Sequence, residues 1–141
     1  MYTRDYVLRL IERFGRALIA LRDRILRREV TTEELRAQLR EVAEGAGLDL
    51  DLARSLDPRM LLMWLAPTGE IDPPRFWLLA ELLSLEGAHA RASAAGDLGR
   101  ADFGRAHALF SRLPADWQPS AEVATAGERA LELRQLLDEE V

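Results

Sequence analysis

Few residues in this chain are equipped for chemistry. Glu86-Gly-Ala-His89 is the sharpest grouping, because a carboxylate and an imidazole three residues apart share one face of a helix, the spacing from which di-iron carboxylate bundles are built. His107 is the only other histidine. If the segments carrying the two histidines fold back on each other, Glu86, His89 and His107 would form a two-histidine, one-carboxylate set. A di-metal centre needs a second Glu-x-x-His, and Gly104 stands three residues before His107. A hydrogen-bonded or partly exposed histidine pair is the plainer reading, and no metal and no cofactor are expected.

The other candidates are weaker. Asp49 and Asp51, or Glu139 and Glu140, could pair as acid and base or hold calcium, but 49–57 lacks the glycine and the closing glutamate of a calcium loop. These pairs read more simply as helix caps and solvated ends. Ser55, Ser84, Ser93, Ser111 and Ser120 occupy no nucleophile elbow, and Gly96-Asp-Leu-Gly99 follows a helical pattern where a phosphate loop would follow a strand. With no cysteine in 141 residues, thiolate catalysis, disulfides and zinc fingers are excluded. The chain is expected not to be an enzyme.

Charge is the remaining lead. The formal net charge is −5, which argues against nucleic-acid binding by the whole protein, yet the balance is uneven. Residues 1–29 carry eight arginines and four acidic residues, whereas 122–141 carry two arginines and six acidic residues. Arg9, Arg13 and Arg16 fall on one side of the first helical segment, where guanidinium forks suit carboxylate or phosphate. No aromatic residue accompanies them for base stacking. A solvated or partner-facing surface is therefore the expectation, with the acidic last helix as a mate within or between chains. All 19 basic residues are arginine and asparagine is absent, a pattern that fits a high-GC bacterial genome.

The elements that must position these residues are helical. Val7, Ile11, Phe14, Leu18, Leu21 and Ile25 recur at spacings of three and four, predicting one helix over 5–28. Leu8, Ile19 and Leu26 form a second, narrower stripe, so this helix should touch two neighbours. Thr31 with Glu34 predicts a capping box opening a helix that buries Leu35, Leu39 and Val42. A short turn or helix follows around Leu48–Leu56, capped by Asp49 or Asp51. Asp57-Pro58 opens a short helix over 60–65 that should be buried nearly all round, and Asp72-Pro73 opens another over 74–94 with Trp77, Leu78, Leu82, Leu85 and Ala88 inward. Further helices are expected over 99–112 and about 121–138. No stretch alternates with period two, so no sheet is expected.

The stretch Leu82 to Leu113, with small residues in both segments and Gly96-Asp97 between them, resembles a tetratricopeptide-type helical hairpin. On that alignment Ala101 and Ala108 take the small positions of its second helix, while His89 replaces a glycine and Arg105 an aromatic. Over roughly residues 2–113, Tyr6-Val-Leu-Arg-Leu-Ile-Glu12, Gly47-Leu-Asp-Leu-Asp-Leu, Gly69-Glu-Ile-Asp-Pro73 and Leu78-Leu-Ala-Glu-Leu-Leu83 resemble an uncharacterised bacterial family of small helical proteins ending in such a hairpin. The resemblance implies a fold and no activity.

The expectation is one all-α domain, a bundle of six or seven helices, comprising N-terminal helices over 1–67, a tetratricopeptide-like hairpin over 72–113 and a C-terminal helix over 119–139. The longest uncharged run, Met60 to Gly69, is about half the length that spans a bilayer. The charged start, Met1 to Asp5, lacks the apolar core of a secretory signal. A cytoplasmic, non-catalytic adaptor or scaffold that binds another protein is expected, with Arg9, Arg13, Arg16, Ile19 and Leu26 at a groove between the first helix and the 74–94 helix. Self-assembly as a homodimer or higher oligomer, through the second stripe and the 60–65 segment, is the alternative.

Overall fold

A computed structural model describes residues 4–93 and 96–139. It is all-helical, with seven helices and no strand among the described residues: α1 (Arg4–Leu26), α2 (Thr32–Gly45), α3 (Leu50–Ser55), α4 (Pro58–Leu65), α5 (Pro73–Ala92), α6 (Gly96–Phe110) and α7 (Ala126–Glu139). Side-chain caps set most of the starts. Thr31, Asp49 and Asp57 accept hydrogen bonds from the amides of Glu34, Leu52 and Met60 at 3.1, 3.0 and 2.8 Å, each satisfying an amide that the first turn leaves open. The box expected at Thr31 is only half formed, since the Glu34 carboxylate accepts from Arg24 Nη2 at 2.9 Å. Asp72 makes no side-chain cap, so Pro73 at the first turn is what starts α5.

α5 is the axis of the molecule. It packs against α1, α2, α3 and, most extensively, α6, which in turn carries α4 and α7. Every residue from Phe76 to Gly87 is buried, including the expected Trp77, Leu78, Leu82 and Leu85, whereas Ala88 is half-buried. A helix enclosed on all sides needs no polar face, and the polar residues it does carry, Glu81, Ser84 and Glu86, are buried too. The α5–α6 crossing is close because both helices bring glycine to it. A Cβ on Gly87 would lie 2.7 Å from the Phe103 ring, and one on Gly99 would lie 2.8 Å from the Gly87 carbonyl oxygen. Ala101 is exposed and Ala108 half-buried, so the small residues that carry the contact are these glycines. α5 ends at Ala92; Ala94, expected as its last residue, lies outside the described residues, as does Glu140.

Two helices differ from expectation. α4 packs chiefly on α6, so Leu61 and Leu65 are buried while Met60 and Met63 are 52 % and 64 % exposed; a short helix with one neighbour has one covered face. α7 starts at Ala126 instead of about 121, because Thr125 and Glu128 form the complete capping box, with Glu128 N to Thr125 Oγ1 at 3.2 Å and Thr125 N to Glu128 Oε1 at 3.4 Å. The preceding loop is sewn to the helix by Ala126 N to Trp117 O at 2.8 Å and Gly127 N to Ala115 O at 2.9 Å.

α1 does pack against two neighbours, α5 and α2. The second stripe stays outside: Leu8 is half-buried, and Ile19 and Leu26 are 43 % and 71 % exposed. α1 closes in a paired motif, Arg28 N to Ile25 O at 3.0 Å and Glu29 N to Arg24 O at 2.8 Å, with Arg28 left-handed at φ 58°. α2 closes the same way through Leu48 N to Ala43 O, but there the left-handed residue is Gly47 at φ 69°, the residue that this position favours. No described helix is long and apolar enough to cross a membrane.

Candidate functional site

The structure separates the residues with chemical potential into two enclosed ionic clusters and two open surfaces. In the first cluster Glu81, on α5 and 3 % exposed, accepts through one oxygen from Arg22 Nη2 of α1 at 2.6 Å and from Arg129 Nη2 of α7 at 3.3 Å. Glu132 closes the ring, receiving Arg22 Nη1 at 3.4 Å and Arg129 Nη1 at 3.2 Å. Two guanidiniums thus balance two carboxylates, and three helices are tied together.

In the second cluster Asp102 of α6 is gripped by the Arg54 fork, Nε to Oδ1 at 3.2 Å and Nη2 to Oδ2 at 3.0 Å, and by Arg105 Nη1 at 3.2 Å. Arg54 Nη1 also pairs with Glu86 at 3.3 Å, and Arg105 Nε donates to Leu56 O at 2.6 Å. Burial pushes the Glu86 carboxyl above its ordinary range, against the opposing pull of Arg54. Burial alone would lower the Arg54 pKa, but its bond to Asp102 and the charges of Asp102, Glu86 and Asp51 outweigh that and raise it. Arg105, which stands at an aromatic position of the resembled repeat, fixes the α3–α4 corner to α6.

The candidate set Glu86, His89 and His107 is not grouped as a metal site among the described residues. Glu86 is committed to Arg54, and His89 shares a hydrogen bond with Thr32 Oγ1 at 2.8 Å. Burial, with Arg36 nearby, holds His89 below its ordinary pKa and favours its neutral form. Among the described residues no three His, Cys, Asp or Glu side chains are grouped to hold a metal ion. Asp49 caps α3 and Asp51 pairs with Arg40 at 3.0 Å, so these acids are structural. Ser84 Oγ donates back to Ala80 O at 2.9 Å and is not set up as a nucleophile.

Arg9, Arg13 and Arg16 are exposed on α1, and Arg16 lines a groove that α1 shares with residues 119–123. Arg13 sits over the Phe14 ring at 5.3 Å. The acidic α7, expected to neutralise this row, spends Glu132 on Arg22 and Arg129 and Glu139 on Arg91. Beside the row a groove of about 490 Å³ opens between α1 and residues 119–123, lined by Ile11, Glu12, Gly15, Arg16 and Ile19 on one side and by Pro119 to Val123 on the other. At Gly15 nothing lies within 4 Å of where a Cβ would stand.

A cleft between the first helix and α5 does exist, but at the other end of α1. It holds about 410 Å³ and is lined by Arg22, Arg28, Arg91, Arg129, Glu132 and Ser84, with Leu26, Ala88, Ala92, Phe103, Leu133 and Leu136 as its apolar lining. Leu26 is therefore the one expected partner-binding residue that belongs to it. Arg22 and Arg28 could be counted in the sequence as part of the basic N-terminal segment, but nothing there distinguishes them from the other arginines. Compared with protein-family models, curated proteins and solved structures, the chain matches none.

Proposed function

We propose that this protein is a non-catalytic adaptor whose docking surface is the outward face of α1, and that its partner is an acidic amphipathic helix of another protein. The observation that carries the reading is the row Arg9, Arg13 and Arg16, at i, i+4 and i+7, which makes no ion pair with any described residue and borders the open groove at Gly15. Residues at that spacing form one ridge of a helix. A second helix presenting carboxylates at the same spacing meets them ridge to ridge, while its neighbouring apolar residues enter the groove beside Ile11, Ile19 and Val123. Glu12 and Glu122 in the groove itself repel an acidic residue there, so the partner's charge must lie on the arginine side only. This supplies orientation as well as affinity.

The test uses a synthetic helical peptide with Glu at i, i+4 and i+7 and Leu on the adjoining face, measured by fluorescence anisotropy at low and high salt. Binding that weakens with salt, falls at least tenfold in the triple variant Arg9→Glu, Arg13→Glu, Arg16→Glu, and is blocked by Gly15→Leu supports the reading. Both variants should keep wild-type helicity, since the arginines are exposed, make no ion pair with a described residue, and Gly15 faces open space. Peptide binding indifferent to both variants overturns it. A concentration-dependent dimer that the triple variant dissolves would replace the partner helix with a second copy of the chain.

A further inference from the structure

The cleft at the C-terminal end of α1 is a separate feature, and its charge balance differs from its appearance. Four guanidiniums rim it, but three are already matched. Arg22 and Arg129 are neutralised by Glu81 and Glu132, and Arg91 pairs with Glu139 at 3.5 Å. Arg28 makes no side-chain hydrogen bond or ion pair with any described residue, and it lines the cleft. The excess charge of the cleft is therefore a single positive charge, on exposed Arg28, beside an apolar lining that includes Ala88, Phe103 and Leu136.

Arg28 also occupies a backbone position that its side chain disfavours. At the close of α1 it takes the left-handed conformation, φ 58°, where the matching close of α2 uses Gly47. A non-glycine residue held left-handed is strained, and strain of this kind gathers at ligand clamps. The volume, about 410 Å³, falls within the range of small-molecule sites, about 300–1,000 Å³. At roughly 30 Å³ for each water-sized group, it accommodates a chain of about a dozen carbons.

We infer that the cleft binds a single-chain anionic amphiphile, a medium-chain carboxylate whose tail lies along the apolar lining and whose head is held by Arg28. A monoanionic head balances the one unmatched guanidinium, and the fork geometry accepts both carboxylate oxygens. The site is independent of the α1 outer face and does not rest on the adaptor reading.

The experiment is calorimetric titration of the intact protein with dodecanoate below its micellar concentration. Butyrate serves as a head without a tail, dodecyltrimethylammonium as the same tail with the opposite charge, and phosphatidylglycerol vesicles as an anionic lipid surface. Saturable 1:1 binding of dodecanoate is expected, at least tenfold tighter than the cation and with butyrate undetectable. Arg28→Gly should weaken dodecanoate at least tenfold while raising the melting temperature, because it relieves the left-handed strain; a loss of binding in a more stable protein cannot be a folding defect. Equal affinity for the cation, or dodecanoate binding unchanged in Arg28→Gly, overturns the inference. So does binding to vesicles without binding to dodecanoate, which would make the cleft mouth a membrane contact.

Discussion

Glu86 and His89 lie one helical turn apart on α5, and their titrations act on stability in opposite directions. Glu86 is held above its ordinary value of 4.5 by burial, so the native state takes up its proton more readily than the unfolded chain does. Its ionisation therefore costs stability as pH rises through the native pKa, and that cost vanishes as pH falls back. His89 is held below 6.5 by burial and by Arg36. The unfolded chain takes up that proton first, so stability is lost as pH falls below 6.5 and the Thr32 bond must compete with protonation. Urea unfolding across pH 4.5 to 7.5 separates the two. Glu86→Gln should equal or exceed wild type at pH 7, with the difference shrinking toward pH 4.5 as wild-type Glu86 takes up its proton. His89→Gln, which keeps a polar partner for Thr32, should flatten the loss between pH 6.5 and 5. A Glu86→Gln protein less stable than wild type at neutral pH would mean that the Arg54 pair outweighs the burial of the carboxylate.

At the scale of elements, the helix ends and crossings make sharper predictions than the helix interiors. Gly99→Ala should cost about 2 kcal/mol or more in chemical denaturation, because its Cβ meets a carbonyl oxygen of α5 at 2.8 Å, and backbone cannot step aside as a flexible side chain can. Arg28→Gly should add about 1 kcal/mol, the reverse of the usual effect of introducing glycine. Thr125→Ala should cost about 1 kcal/mol and fray α7 first. How much could be read from the sequence follows the same division. Asp49, Asp57 and Thr31 announce their helices because a cap is a local interaction, made within three residues. Thr125 and Glu128 carry the same signal, yet the apolar Val123 and Ala124 before them draw the expected start of α7 too early. The pairing of Glu81 with Arg22 and of Arg54 with Asp102 spans 59 and 48 residues, and no local rule picks one arginine out of 19. The exposed methionines of α4 were hidden for a related reason: an apolar run shows what can be buried, and only the number of neighbours decides which faces are. The position of the cleft was equally illegible, since it depends on where α7 returns.

For the whole molecule, the arrangement turns on α5 being enclosed while carrying charge. Glu81 lies where α1, α5 and α7 meet, and its carboxylate holds both outer helices through Arg22 and Arg129. Removing it leaves two guanidiniums facing each other, 22 % and 14 % exposed, with only Glu132 between them. Breaking such a set by deleting one member typically costs about 3 kcal/mol or more, whereas replacing the interacting charges together with apolar groups is often neutral. Glu81→Ala should therefore be strongly destabilising, and the damage should be local before it is global. α7 reaches the body mainly through α6 and through this cluster, so its amides should exchange with solvent faster in Glu81→Ala than those of α2, which the cluster does not touch. The combined variant Arg22→Met, Glu81→Met, Arg129→Met, Glu132→Gln should recover much of the loss, because all four interacting charges are then removed together. Since α7 also supplies Leu133, Leu136 and Arg129 to the cleft, the two variants divide stability from ligand capture. If the combined variant refolds α7 firmly, dodecanoate should still bind, as Arg28 and the apolar lining remain and the charges removed sum to zero; if the cleft instead depends on Arg129, affinity should fall in the combined variant even with α7 fully protected from exchange.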